Sequence, residues 1–206
     1  MLCDACAASV ERGSGACPRC ALPLAGRDAP CPACRATPFA FDRALARFEY
    51  RFPLDRLVQR FKYGGDLALG RWLAQELAAG VADGPRPRLL VVPPLSAARL
   101  RERGFNQALE IARIVGRRLG IEVSRDVLRR CRETPSQAAL GRRARQANLR
   151  GAFACARALD RLDVAIVDDV LTTGATADAI ARALKDAGAA SVAVWAVARA
   201  PQPGPP

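Results

Sequence analysis

The chain reads as an α/β protein, a mainly parallel sheet flanked by helices, preceded by a small cysteine-rich head. Three observations predict this. "LLVV" (89–92), "VAIV" (164–167) and "SVAVWAVA" (191–198) are short apolar runs of strand length. Longer stretches with helical spacing lie between them, the alternation that builds a parallel sheet. Six of the eight cysteines fall in the first 34 residues, as three C-x-x-C pairs.

The pairs are Cys3-x-x-Cys6, Cys17-x-x-Cys20 and Cys31-x-x-Cys34, with ten residues between one pair and the next. A C-x-x-C turn brings two thiolates to one metal, and a second such turn completes a tetrahedral, four-thiolate zinc site. Turn formers (Pro18, Pro23, Gly26, Pro30, Pro32) fill the intervals, as expected of a zinc ribbon with almost no apolar core. A disulfide framework is the competing reading. Met1-Leu2-Cys3-Asp4 shows no export signal, so the expected location is cytoplasmic, where thiols stay reduced. Six ligands do not divide into fours. Cys17, Cys20, Cys31 and Cys34 are the first choice for one structural zinc ion, which leaves Cys3 and Cys6 over. Cys131 and Cys155 stand alone and are expected to be ordinary buried thiols.

After the head, 36–50 is a connector and strand. Residues 53–81 show helical spacing at Leu54, Leu57, Val58 and Phe61, then at Leu67, Leu69, Leu73 and Leu77, and Gly64-Gly65 divides them into two helices. "GPRPR" (84–88) is a hinge before the strand 89–92, which stops at Pro93-Pro94. "NQALEIARIVGRRLG" (106–120) is an amphipathic helix with Gly120 as its stop signal. Residues 127–150 are polar and Arg-laden, with no clear periodicity. A strand at 164–167, a helix over 175–187 closed by Gly188, and a strand at 191–198 complete the series. The expected division is a zinc ribbon over 1–38, an α/β domain over 39–200 and a disordered tail at 201–206.

The chain carries a net charge of +12, and 30 of its 32 basic residues are arginine. Between Arg99 and Arg150 there are 14 arginines and five acids. Such a cluster is either a solvated basic face or a surface for polyphosphate or nucleic acid. These 206 residues contain no histidine, which excludes Ser-His-Asp and Cys-His chemistry and His-ligated catalytic zinc. No apolar run approaches the roughly 18–20 residues that span a bilayer, so no membrane insertion is expected.

"VAIVDDVLTTGAT" (164–176) carries the most chemistry. Asp168 and Asp169 end a buried strand, where ligands of parallel sheets bind. The loop Thr172, Thr173, Gly174, Ala175, Thr176 then opens a helix, presenting backbone N–H groups, hydroxyls and a helix dipole to an anion. Carboxylates accept hydrogen bonds from hydroxyls while the loop holds phosphate, so a ribose 5-phosphate suits both. A Walker B reading lacks its P-loop, since "GDLALGRW" (65–72) has Arg-Trp where Lys and Ser/Thr belong. A Rossmann reading finds only "GSG" (13–15), inside the cysteine head.

This stretch resembles the phosphoribosyl-pyrophosphate (PRPP) motif of type I phosphoribosyltransferases. Together with "VVPPL" (91–95), "RERGFNQALEIAR" (101–113), "RETPSQAALGRRARQANLRGAF" (132–153) and the cysteine head, it resembles the ComF family of competence and gluconate-uptake-associated proteins. The resemblance covers nearly the whole chain and implies a type I phosphoribosyltransferase fold. It implies PRPP or a related ribose 5-phosphate as ligand, Mg²⁺ bound with it, and an acceptor that no segment identifies. By resemblance, Asp168 and Asp169 hold the ribose hydroxyls, 172–176 the 5-phosphate, and Pro94, Leu95, Ser96 and Ala97 approach pyrophosphate. Arg101, Arg103, Gly104, Phe105, Asn106 and Gln107 correspond to a mobile lid. The candidate catalytic residues are Asp168, Asp169, Arg101 and Arg103. Members commonly carry four C-x-x-C pairs, so the pair missing here is expected upstream of Cys3. The resemblance also implies a link to DNA uptake and natural transformation, with single-stranded DNA and competence proteins such as a DNA-uptake helicase as partners. A non-catalytic adaptor that binds single-stranded DNA through the ribbon and region 99–150, with Arg142, Arg143 and Arg145 as candidate contacts, is the alternative.

Overall fold

The computed structural model describes residues 7–12, 15–24, 29–132 and 148–201. Five parallel strands form one sheet: β1 (Arg43–Glu49), β2 (Leu89–Val91), β3 (Glu122–Ser124), β6 (Asp163–Leu171) and β7 (Ser191–Arg199). Their order is β1-β7-β6-β2-β3. A separate antiparallel pair joins β4 (Leu128–Arg130) to β5 (Phe153–Cys155). The helices are α1 (Pro32–Ala36), α2 (Leu54–Gly64), α3 (Leu67–Val81), α4 (Ala97–Arg103), α5 (Gln107–Leu119) and α6 (Ala175–Asp186). Among the described residues no helix is long and apolar enough to cross a membrane.

Strand side chains alternate between two cores, as the two-residue period demands. Ala165 and Val167 of β6, with Ala193, Trp195 and Val197 of β7, pack against α2, α3 and α5. Val164 and Ile166, with Val192, Val194 and Ala196, pack against α6, Phe39, Phe41 and the cysteines of the head. Both central strands are therefore covered on both faces, and each fully buried valine or isoleucine contributes roughly 1.5–3 kcal/mol. The head also caps the sheet edge: Arg12 bridges Phe48 of β1 in antiparallel fashion. Arg12 and Arg47 both hold Glu76 of α3, at 3.2 and 2.9 Å.

Helix boundaries follow local chemistry. α2 ends at a left-handed Gly65 (φ 64°), as the Gly64-Gly65 break leads one to expect, and Asp66 caps α3 by accepting from Leu69 N at 3.1 Å. Asn106 caps α5 and Gly120 closes it in the left-handed region.

Two expectations need correction. β6 does not stop at Val167 but runs on to Leu171, pairing with β7 as far as Leu171↔Arg199. On its other side β2 pairs only to Val91↔Ile166, because Pro93 and Pro94 cannot donate to a ladder. A notch results: Asp168 and Asp169 lie on a strand whose β2-side neighbour has ended. Cys131 and Cys155 are not buried thiols, since Cys131 is exposed and Cys155 half-buried. Cys131 follows β4 directly and Cys155 lies on β5. The expected tail lies outside the described residues, apart from Pro201.

Candidate functional site

The notch opens into a cavity of about 1000 Å³. That is the upper end of the usual range of small-molecule sites, about 300–1,000 Å³. Asp168, Asp169, Thr172, Thr173, Ala175 and Thr176 line it from β6 and the loop into α6. Pro94, Leu95 and Ser96 line it from the segment after β2, and Arg103, Asn106 and Gln107 from the α4–α5 junction. The structure thus brings these three stretches to one cavity, which Tyr50, Lys62, Tyr63, Arg130, Asn148 and Leu149 also line. Arg101 and Gly104 are exposed and lie off the lining, as do Ala97, Gly174 and Phe105. Phe105 instead packs on Phe61, ring centroids 5.5 Å apart. Arg142, Arg143 and Arg145 lie outside the described residues.

Each wall has a local cause. Ser96 caps α4 by accepting from Arg99 N at 3.3 Å, and α4 ends at Gly104 (φ 75°). Asn106 then caps α5, accepting from Leu109 N, while its amide donates to Pro93 O at 3.1 Å. That bond ties the start of α5 to the proline segment that truncates β2. Gly174 sits at φ 78°, and an added Cβ would lie 2.8 Å from the Phe39 ring. Glycine is therefore required there on two counts, backbone and space.

The electrostatics centre on the two aspartates. Burial pushes the Asp168 carboxyl up to about 7, helped by the charge of Asp169 and opposed by Lys62, the Asp169 N–H and Arg103. Asp168 Oδ1 accepts from Asp169 N at 2.8 Å, and Asp169 Oδ1 accepts from Val170 N at 2.6 Å. Lys62, from the last turn of α2, places its Nζ 2.9 Å from Asp169 Oδ1. Sequence reasoning missed Lys62. A signal was present: Lys62 and Lys185 are the two lysines among 32 basic residues, and Lys185 also pairs with an aspartate, Asp42. A compact ammonium serves such a pair where a planar guanidinium is bulkier.

Tyr63 and Arg103 were not paired by the sequence either. Arg103 lies over the Tyr63 ring at 5.2 Å and donates to its hydroxyl at 3.3 Å and to Gln107 Oε1 at 3.0 Å. Gln107 Nε2 donates in turn to Lys62 O at 3.4 Å, linking α5 to the end of α2. Chemically the cavity offers carboxylates with a neutralising ammonium, hydroxyls, a loop at a helix start, and an arginine at the rim.

The second candidate centre is in the head. The thiols of Cys17, Cys20, Cys31 and Cys34 all lie within 4.8 Å of one another, and all four residues are buried and free of disulfides. A tetrahedron with bonds of about 2.3 Å has edges of about 3.8 Å, and Cys20 and Cys31 Sγ stand 3.8 Å apart. The set could hold a metal ion. Burial raises Cys17, but N–H donors of Cys31, Cys20 and Arg19 outweigh it and bring that thiol to about 7. Burial holds Cys20 and Cys34 above the ordinary thiol value. Cys3 and Cys6 lie outside the described residues.

No family model matches the chain. It is 36% identical over 204 residues to DNA utilization protein YhgH of Salmonella typhi, covering 96% of this chain and 90% of that protein. It is 33% identical over 179 residues to competence protein F of Haemophilus influenzae, covering 82% and 78%. Among solved structures it is similar to a purine phosphoribosyltransferase from Pyrococcus horikoshii, at 18% identity and TM-score 0.33 over 79% of this chain and 94% of that one. At 36% identity over 96% of the chain to YhgH and 33% over 82% to competence protein F, the chain belongs to the ComF family that these proteins represent.

Proposed function

We propose that the cavity binds PRPP, or a related ribose 5-phosphate, in a cytoplasmic protein that serves DNA uptake and natural transformation. The observation that carries this reading is the convergence of Asp168, Asp169 and the 172–176 loop on one cavity, with Lys62 on Asp169. In this reading the two carboxylates accept hydrogen bonds from the ribose hydroxyls, and the 172–176 loop at the start of α6 holds the 5-phosphate. Ser96 and Arg103 face the pyrophosphate, a role for positive charge where a leaving group gathers charge. Mg²⁺ would be held largely by the ligand's own phosphates, with Asp168, which forms no ion pair among the described residues, as the available carboxylate. The names of the relatives, DNA utilization protein and competence protein, support the physiological half of the proposal. The acceptor is unnamed, and the fold does not supply one.

Zinc is the ion we assign to the four cysteines, and a four-thiolate set leaves no open position, so its role is structural. We divide the chain at 38/39 into zinc ribbon and α/β domain. The alternative, a non-catalytic adaptor for single-stranded DNA, is favoured by Arg99, Arg103 and Arg130 on the cavity wall and by the arginine density of 99–150. A DNA-uptake helicase is the partner class either reading implies.

Calorimetry with PRPP and Mg²⁺ on the wild type, Asp168→Asn and Asp169→Asn tests the first reading. It expects saturable binding by the wild type and a loss of about tenfold or more in each variant. Equal binding by all three would sink the site assignment. For the adaptor reading, single-stranded DNA binding should fall steeply with salt and collapse when Arg142, Arg143 and Arg145 are replaced.

A further inference from the structure

Arg199 closes β7 and, at 1% exposure, heads the fully buried side chains by size. Among the described residues it makes no ion pair. Its donors go to main-chain carbonyls instead. Nε donates to Cys20 O at 2.8 Å, and Nη1 donates to Leu171 O at 3.0 Å and to the carbonyls of Thr172 and Ala200. Cys20 belongs to the four-thiol cluster, while Leu171 and Thr172 lead into the anion-binding loop. One guanidinium therefore touches both centres.

The arrangement has an electrostatic and a geometric side. A buried cation without a carboxylate is costly. Four thiolates around a divalent ion keep a net charge of about −2, which supplies the missing anion. A trans peptide sets its N–H opposite its C=O. With the Leu171 and Thr172 carbonyls turned toward Arg199, the N–H groups of Thr172 and Thr173 point away from it, and both threonines line the cavity. We propose that Arg199 is a positioning residue that fastens the anion-binding loop to the metal centre, so that the loop's affinity for its ligand depends on an intact four-cysteine site. The ligand half of this inference rests on the function proposed above; the mechanical half does not.

Two arms of one experiment keep them apart. In the first, the full-length wild type is stripped of metal with a chelator and followed by hydrogen exchange. Amides of residues 171–174 should exchange about tenfold faster, with α5 on the opposite face changing far less. An unchanged 171–174 segment, or one that rises no more than α5, would overturn the inference. In the second, PRPP with Mg²⁺ is titrated into Arg199→Met and Arg199→Lys. Both should bind about tenfold more weakly than the wild type, and Arg199→Lys alone should retain zinc against chelator as the wild type does. Lysine restores the charge but has no fork to span Cys20 and Thr172. Wild-type affinity in a folded Arg199→Met, or in Arg199→Lys if the methionine variant does not fold, would overturn it. If the wild type itself fails to bind PRPP, the functional proposal falls while the first arm still decides the role of Arg199.

Discussion

Replacing Lys62 with methionine keeps the aliphatic stem and removes one charge. Lys62 and Asp169 stand 2.9 Å apart with side chains 16% and 11% exposed. At an effective dielectric of about 20, unit charges at that distance attract by about 6 kcal/mol. The measured loss must be smaller, because the bare aspartate pair can take up a proton. Each pH unit above an ordinary aspartate value of about 3.9 makes that proton about 1.4 kcal/mol more costly, so the penalty is capped near 4 kcal/mol at pH 7 and near 1.5 kcal/mol at pH 5. Release of the lysine from its own burial lowers both figures. We expect Lys62→Met to lose about 2–3 kcal/mol at pH 7 and about 1 kcal/mol at pH 5. The sign follows from proton number. The variant's native state holds a proton that its unfolded state has shed, so its stability falls as pH rises. Urea unfolding followed by the fluorescence of Trp72 and Trp195 measures both values. A loss that is the same at the two pH values, or below about 0.5 kcal/mol at pH 7, would refute the pairing as an energetic one. Lys62→Arg should recover only part of the loss, because the guanidinium is bulkier than the ammonium at this buried pair.

The remaining predictions concern neighbouring parts of the same machinery. Asp168 titrates at about 7 in the native state because of burial and Asp169, above its unfolded value, so its contribution to stability is complete at low pH and is lost as pH rises through 7. The loss begins near the unfolded value of about 3.9 and is complete above about 7, so the gain in urea midpoint of Asp168→Asn over the wild type should be larger at pH 8 than at pH 5, and parallel profiles would count against that. Gly174→Ala should cost about 2–4 kcal/mol, from a left-handed backbone and from contact with Phe39. Adding Phe39→Leu should relieve the contact alone, and full recovery in the double variant would remove the backbone argument. Cys34→Ser should abolish zinc retention against chelator and lower the melting temperature, whereas one zinc per chain in that variant would exclude Cys34 as a ligand.

Much of the fold was legible because its signals are local. The apolar runs of β2, β6 and β7, the Gly64-Gly65 break and the Gly120 stop each depend on a few adjacent residues. The extension of β6 through Asp168–Leu171 was not legible. Two acids after an apolar run look like a strand end, and only the continued pairing to β7 beside a β2 shortened by prolines decides otherwise. The loop and aspartates were readable as a group because one segment carries them. Lys62 was not, since on α2 it is simply a polar residue beside an apolar stripe, and it meets Asp169 only when α2 packs across the sheet. Arg199 was hidden in the same way: the expected strand stopped at Ala198, and a charged residue at a strand end reads as solvated.

The cysteine head shares its core with α6, Phe39, Phe41 and the sheet face beneath them. This has a practical consequence for anyone preparing the protein. A shortened form beginning at residue 39 would look sensible on a sequence diagram, but it would strip a wall from that core. The freshly bared face would carry apolar side chains of that core into solvent, a patch prone to self-association. Fusion tags and mutational scans of the binding site are thus better built on the whole chain than on its larger part.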